Sequence, residues 1–328
     1  MSERRLILRV VIVALWWLCG VTAFAQFPPG GFRGGRGGPP PGPGSYVRTE
    51  GNVWVDEDSV RTAREVASHS TGTPEWTNPP GFEKDVFTFA RVVFKSADTS
   101  GRRTRYEMGR GPRLGWWVDF PDADLNFSYR LQQLTTIRAN PDGRVLKLTD
   151  PELPDYPFLY VTHPGYIKLT DPEATALTHY LRNGGVLLVN DFWSQADWDG
   201  FEEQMRRVLP GQSWTELDMD HPLFNCVYKI PGPMRRLQVP TLQFWNHDFD
   251  FNDPNSHLQT VYRGEGSDTV HIRAWYDDRQ RISVLAIHNS DVADGWERES
   301  ESEEYFKTFS EKIAYPLGVN IVFYLMTH

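Results

Sequence analysis

The chain alternates between short, nearly unbroken apolar runs and longer stretches in which apolar residues return every three or four positions. Residues 87–94 (FTFARVVF), 158–162 (FLYVT), 186–190 (VLLVN) and 283–287 (SVLAI) are the runs. Rich in β-favouring residues, they predict inner strands buried on both faces. Residues 114–120 predict a further strand end. Between the runs lie helical patterns over 122–137, 171–182 and 196–209. The second closes on the stop signal Asn183-Gly184-Gly185, and the third places Trp198, Phe201, Met205 and Val208 on one face. Such alternation predicts a mainly parallel sheet covered by helices on both sides. From residue 213 to 289 the strands come closer together with loops between them. The C-terminal segment becomes an amphipathic helix through Phe306, Phe309 and Ile313, with a kink expected at Pro316 before the apolar run 319–326. Upstream, residues 56–67, with Val60, Ala63 and Ala67 on one face, predict a short helix.

The first 45 residues follow different rules. Arg4, Arg5 and Arg9 precede an uncharged apolar stretch over 10–20, and Ala23-Phe24-Ala25 is a small-x-small cleavage signal. The pattern predicts a signal peptide over residues 1–25, a mature chain from Gln26 and a periplasmic or secreted protein. The alternative is an N-terminal membrane anchor, against which the apolar run is short of the roughly 20 residues a span needs. Residues 26–45, proline- and glycine-rich, predict a disordered linker. Residues 46–84 then form an N-terminal extension and residues 85–328 one α/β domain. With Cys19 in the signal segment, Cys226 is left alone and no internal disulfide is expected.

Charge narrows the partners. Residues 1–44 hold five of the 34 basic and one of the 43 acidic side chains, which leaves 29 and 42, a formal charge of −13 over residues 45–328. Such a surface repels phosphate backbones, so nucleic acid is not an expected partner. The mature chain carries no expected membrane span.

Seven stretches, "FTFARVVF", "WWVDFPDADLNFSYRLQQLT", "LTDPELPDYPFLYV", "YLRNGGVLLVNDFW", "DHPLFNCVY", "HNSDVADGWERE" and "EKIAYPLGVNIVFYLMTH", resemble the DUF4159 family of bacterial proteins over about residues 50–328. That family resembles the class I glutamine amidotransferase-like superfamily, and the half from "FLYV" to "GGVLLV" is similar to its ThuA-like branch. The resemblance implies a three-layer, flavodoxin-like α/β fold and establishes no activity. Glutamine amidotransferases carry a nucleophilic cysteine in a Gly-x-Cys-x-Gly elbow. The corresponding strand here continues into Asp191 and Phe192, and Cys226 lacks the flanking glycines. An amidotransferase mechanism is therefore not transferred, and Cys226 reads as an inert, buried thiol.

In open α/β sheets ligands sit beyond the carboxyl ends of the strands. The residues expected there are Asp119, Asp122 and Asp124, then His163, then Asp191 and Trp193, and finally His288, Asn289 and Asp291. Trp296, set between Asp294 and Glu297, is expected to join them, with Trp116 and Trp117 as further floor. His221, five residues before Cys226, is added as a conceivable base for it. The catalytic residues remain unassigned.

Three readings stay open: an Asp/His-based or metal-assisted hydrolase acting on a glycan or amide, a non-catalytic module binding a glycan or an envelope protein, and a purely structural set of caps and turns. The module is the preferred reading. No metal site is expected from spacing. Asp248, Asp250 and Asn252 have the 1-3-5 arrangement of a calcium loop but neither its glycine nor its glutamate, which makes calcium there a weak option.

Overall fold

The computed structural model describes residues 45–81, 85–96, 115–253 and 255–328. The expected signal peptide, the linker up to residue 44, and Leu114 lie outside them. Nine strands are present among the described residues. β1 (Tyr46–Arg48) and β2 (Trp54–Asp56) form a separate antiparallel hairpin. The other seven are β3 (Ala90–Val93), β4 (Arg144–Lys147), β5 (Phe158–Thr162), β6 (Val186–Asn190), β7 (Thr215–Glu216), β8 (His271–Tyr276) and β9 (Ile282–His288). They make one sheet in the order β4-β3-β5-β6-β9-β8-β7. The first five are mutually parallel, and β8 runs antiparallel to both β9 and β7.

Register aligns the strand ends. Thr162 pairs with Asn190, and Val189 pairs with Ala286. His163, Asp191 and His288–Asn289 therefore leave the sheet at one carboxyl edge. Because β8 is antiparallel, its first residue, His271, meets His288 at that edge, and its last, Tyr276, meets Ile282 at the other.

Helices cover both faces. On one side lie α2 (Asp171–Arg182) and α3 (Ser194–Val208), whose Leu177, Leu181, Trp198, Phe201 and Met205 pack on Val161, Leu187, Val189 and Val284. On the other lie α1 (Asp122–Leu134), α4 (Val292–Glu297) and α5 (Tyr315–Thr327). There Phe127, Leu131, Trp296 and Leu317 pack on Phe89, Tyr160, Leu188 and Leu285. The bounds of α2 follow from its ends: Thr170 and Glu173 form a reciprocal capping box, and Gly184 follows the last turn with φ of +96°. Among the described residues no helix is long and apolar enough to cross a membrane.

Three segments differ from their sequence patterns. Residues 115–120, expected to be a strand end, form a run of turns that leads into α1. Residues 56–67 form no α-helix; they run from β2 into a single 3-10 turn, Ala63–Glu65. The Ala63 N–H donates to the Asp142 carbonyl and the Val145 N–H to the Arg61 carbonyl, so this stretch is held against β4 by bonds a helix would have kept to itself. The C-terminal helix passes through Pro316 by a change of pitch: Phe306–Ala314 is π-wound and α5 begins just before the proline.

Candidate functional site

Four residues, three just after β5, β6 and β9 and one in the turn before α1, share an unusual backbone. Asp119, His163, Asp191 and Asn289 have φ of 61°, 52°, 53° and 60°. A side chain in this left-handed region costs on the order of 1–3 kcal/mol, a cost the surrounding structure must offset. All four are buried. The turns point polar groups inward, above the last residues of β5, β6 and β9.

Asp191 and His163 are in direct contact, Oδ2 to Nε2 at 2.5 Å. The Trp193 indole N–H donates to Asp191 Oδ1 at 2.8 Å. Burial alone would push this carboxyl up, but His163, Arg263 and the Trp193 N–H together hold it below the usual range. Asp291 lies opposite. Its Oδ1 accepts from the Asp294 N–H at 3.0 Å, capping α4, and its Oδ2 accepts from the Thr241 hydroxyl at 2.8 Å. Asp119 completes a triangle: one carboxylate oxygen from each of Asp119, Asp191 and Asp291 lies within 4.8 Å of the other two. Burial, followed by their neighbouring carboxylates, pushes Asp119 and Asp291 well above the usual range. At 4.8 Å and an effective dielectric of about 20, each pair of ionised carboxylates repels by about 3.5 kcal/mol.

A second acidic group adjoins the first and is differently supplied. Asp294 and Glu297 meet Arg298, at 2.6 and 3.1 Å, and Arg298 reaches on to Glu50 and Glu301. His69 from the N-terminal extension bridges Asp122 and Glu297, at 2.8 Å each. Burial works against its charge, but the two carboxylates raise it to about 10, so the ring is cationic at neutral pH. Asp124 pairs with Arg91 on β3, which also donates to the Trp116 and Val118 carbonyls at 2.8 Å. Arg91 is fully buried, with Tyr160 and Phe120 rings 5.0 and 5.6 Å from its guanidinium.

The structure thus brings together Asp119, His163, Asp191, Trp193 and Asp291 of the expected set, with Asp122 and Asp124 in the adjoining salt-bridged group. It employs others differently. His288 ends at the same edge, but its ring packs on Phe192 and Trp198, its Nε2–H donates to the Ser194 carbonyl at 2.9 Å, and Nδ1 faces Arg273. Burial pushes it down to about 3, leaving it neutral. Asn289 clamps three loops, accepting from the Ser194 N–H and donating to the Gly266 and Thr269 carbonyls. Trp296 does not line the crevice. It is a core side chain against Phe127, Phe89 and Tyr160, with its N–H on the Ala314 carbonyl. Gly318 on α5 permits this approach, since a Cβ there would lie 2.4 Å from Phe127 and 2.9 Å from Trp296. Its charged neighbours do not crowd it because Arg298 and His69 take them up.

Trp116 is likewise buried, its N–H on Glu57 at 2.6 Å, and Trp117 packs edge-on against it. His221 is at the opposite edge of the sheet, with Nε2 3.4 Å from the Tyr276 hydroxyl and its ring on Tyr324. Cys226 bonds to the Asn320 and Leu223 carbonyls, and burial raises its thiol. Asp248, Asp250 and Asn252 are exposed, and Asp250 accepts from Asn252 within its own turn.

Next to the triangle lies a cavity of about 760 Å³, whose walls include Trp193, Arg235, Gln238, Phe249, Arg263 and Asp268. Arg263 spans the two sites: its guanidinium lies 5.1 Å from the Trp193 ring and donates to Thr241, which in turn donates to Asp291. His69, Glu50, Arg91, Arg298 and Arg263 were not singled out by pattern. Arg91 interrupts an otherwise apolar strand, the one local signal among them.

The family model for DUF4159, a domain of unknown function, matches residues 103–326. The chain belongs to this family. No curated protein matches it. The DUF4159 match takes in Asp119, His163, Asp191 and Asp291, and begins downstream of β3, so Glu50, His69 and Arg91 come from outside it.

Proposed function

We propose that this DUF4159 chain is an exported, non-catalytic ligand-binding α/β module of the cell envelope, and that its ligand occupies the cavity over Trp193. The cavity carries the reading: Trp193, Arg235, Gln238, Phe249 and Arg263 line about 760 Å³ beside the carboxyl edge, a mixture of aromatic and polar walls suited to a glycan. The N-terminal pattern of arginines, apolar run and Ala-Phe-Ala supports export.

The finer fold assignment is also a proposal. Counted along the chain, the five parallel strands β4-β3-β5-β6-β9 have the order 2-1-3-4-5, which is the flavodoxin-like order and supports the kinship with class I glutamine amidotransferase-like proteins. In that kinship Asp191, at φ of 53° between β6 and α3, stands at the turn where the amidotransferases carry their nucleophile. In the module reading the Asp191 carboxylate, engaged by His163 and Trp193, holds charge at that turn.

The runner-up is an Asp/His-based or metal-assisted hydrolase, favoured by the buried His163–Asp191 contact. Calorimetric titration with peptidoglycan fragments and neutral oligosaccharides separates the two. Binding without turnover, weakened at least tenfold by Trp193→Ala, is the expected result. Turnover abolished by Asp191→Asn replaces the module with the hydrolase. N-terminal sequencing of the exported protein, expected to start at Gln26, checks the compartment.

A further inference from the structure

Within the Asp119–Asp191–Asp291 triangle only Asp191 is in contact with a basic side chain among the described residues, His163, and no ion pair reaches Asp119 or Asp291 there. Every other buried cation nearby is already engaged: Arg91 by Asp124, Arg298 by Asp294, Glu297, Glu50 and Glu301, and His69 by Asp122 and Glu297. His163 meets Asp191 alone, and Arg263 donates to Thr241 and Gln259. Asp119 is 1% exposed, and its Oδ2 has no hydrogen-bond partner among the described residues. A buried carboxylate oxygen without a donor, on a residue that also lies close to Asp191 and Asp291 and to Asp294 and Glu297, calls for a partner from outside the chain, a proton or a cation.

We propose that Asp119, Asp191 and Asp291 bind one divalent cation of the oxygen-seeking class, Mg²⁺, Mn²⁺ or Ca²⁺. Carboxylate oxygens within 4.8 Å of one another can converge on such an ion, whose usual bond lengths are about 2.0–2.6 Å, with side-chain shifts of a few tenths of an ångström. An all-carboxylate set favours these ions over zinc or copper, which take nitrogen and sulfur readily. The surroundings are those of a ligand set held from behind: His163 and the Trp193 N–H orient Asp191, and Thr241 and the Asp294 N–H orient Asp291. Asp119 has no such support, so the ion itself is its partner. Bound there, the cation ties together the turns after β6 and β9 and the turn leading into α1. The site lies behind Trp193, outside the glycan cavity, and does not depend on what that cavity binds.

The test uses the full chain, stripped with EDTA and titrated calorimetrically with MgCl₂, MnCl₂, CaCl₂ and, as a contrast, ZnCl₂. One oxygen-seeking cation per chain is expected, with affinity reduced at least tenfold in Asp119→Asn and in Asp291→Asn and unchanged in Asp250→Asn. The melting temperature should rise with the ion in the wild type and stay fixed in Asp119→Asn. Absence of binding by the wild type, together with no metal in the protein as purified, overturns the proposal and leaves protons holding the cluster. Binding that survives Asp119→Asn and fails in Asp250→Asn overturns it equally, by moving the ion to the exposed 248–252 turn.

Discussion

Two groups of buried carboxylates sit side by side at the carboxyl edge of the sheet, and they are built on opposite principles. Around Asp122, Asp124, Asp294 and Glu297, each carboxylate meets a guanidinium or imidazolium within hydrogen-bonding distance. Around Asp119, Asp191 and Asp291, only Asp191 meets a basic side chain, His163, and the contacts are otherwise with neutral donors or, for one Asp119 oxygen, with none among the described residues. Burial is equally complete in both, so desolvation does not distinguish them. What distinguishes them is permanence. A covalently attached cation completes the first group whenever the chain is folded, whereas the second, on our proposal, takes its cation from solution.

The comparison breaks most severely at Arg91. Replacing it with methionine keeps the volume and removes the charge, leaving Asp124 buried and unpaired. The expected loss is about 3–5 kcal/mol of unfolding free energy, read by urea titration. A loss under about 1 kcal/mol would mean that the matched group does not depend on its matching.

His69 gives the next effect, and its sign is fixed by linkage. Its pKa rises from 6.5 to about 10 on folding, so the folded chain holds the proton more tightly. Its contribution is complete below about pH 6.5 and is lost as pH climbs through about 10. Wild type is expected to lose stability across that window relative to His69→Gln. The difference should be on the order of 2–3 kcal/mol, the linkage of such a shift reduced for a partly exposed ring. Parallel pH profiles for the two proteins would remove His69 from the matched group.

The smallest effect falls in the unmatched group and has the opposite direction. In EDTA, Asp119→Asn relieves repulsion without breaking an ion pair, and is expected to raise stability by roughly 1 kcal/mol or less. A loss comparable to that of Arg91→Met would show that Asp119 has a protein partner after all and would erase the contrast.

Much of the scaffold is legible in the sequence. Phe158–Thr162, Asp171–Arg182 and Val186–Asn190 coincide with the strands and helix observed, because a fully apolar run, a capping box and a glycine stop are local signals. The helix expected over 56–67 failed because its amphipathic spacing competed with backbone bonds to residues 142–145, which lie some 80 positions away. The candidate site was half legible. Polar residues directly after inner strands must emerge at a strand end, so Asp191 and Asp291 were found. Trp296 is core and not crevice because its neighbours' charges are neutralised by Arg298 and by a histidine 228 positions upstream of Glu297, which no local pattern signals.

By itself, then, the sequence determined where inner strands begin and end, which helix faces turn inward, and that carboxylates would gather beyond the strands. These are properties of periods and of neighbours a few residues apart. Only the tertiary structure decided which of those carboxylates receive a cation. Glu50 and Arg298 are 248 positions apart, and Arg91 reaches Asp124 only once β3 and α1 pack together. Whether a buried charge is balanced depends on distances of about 3 Å between such groups. The fold sets those distances, and no spacing along the chain records them.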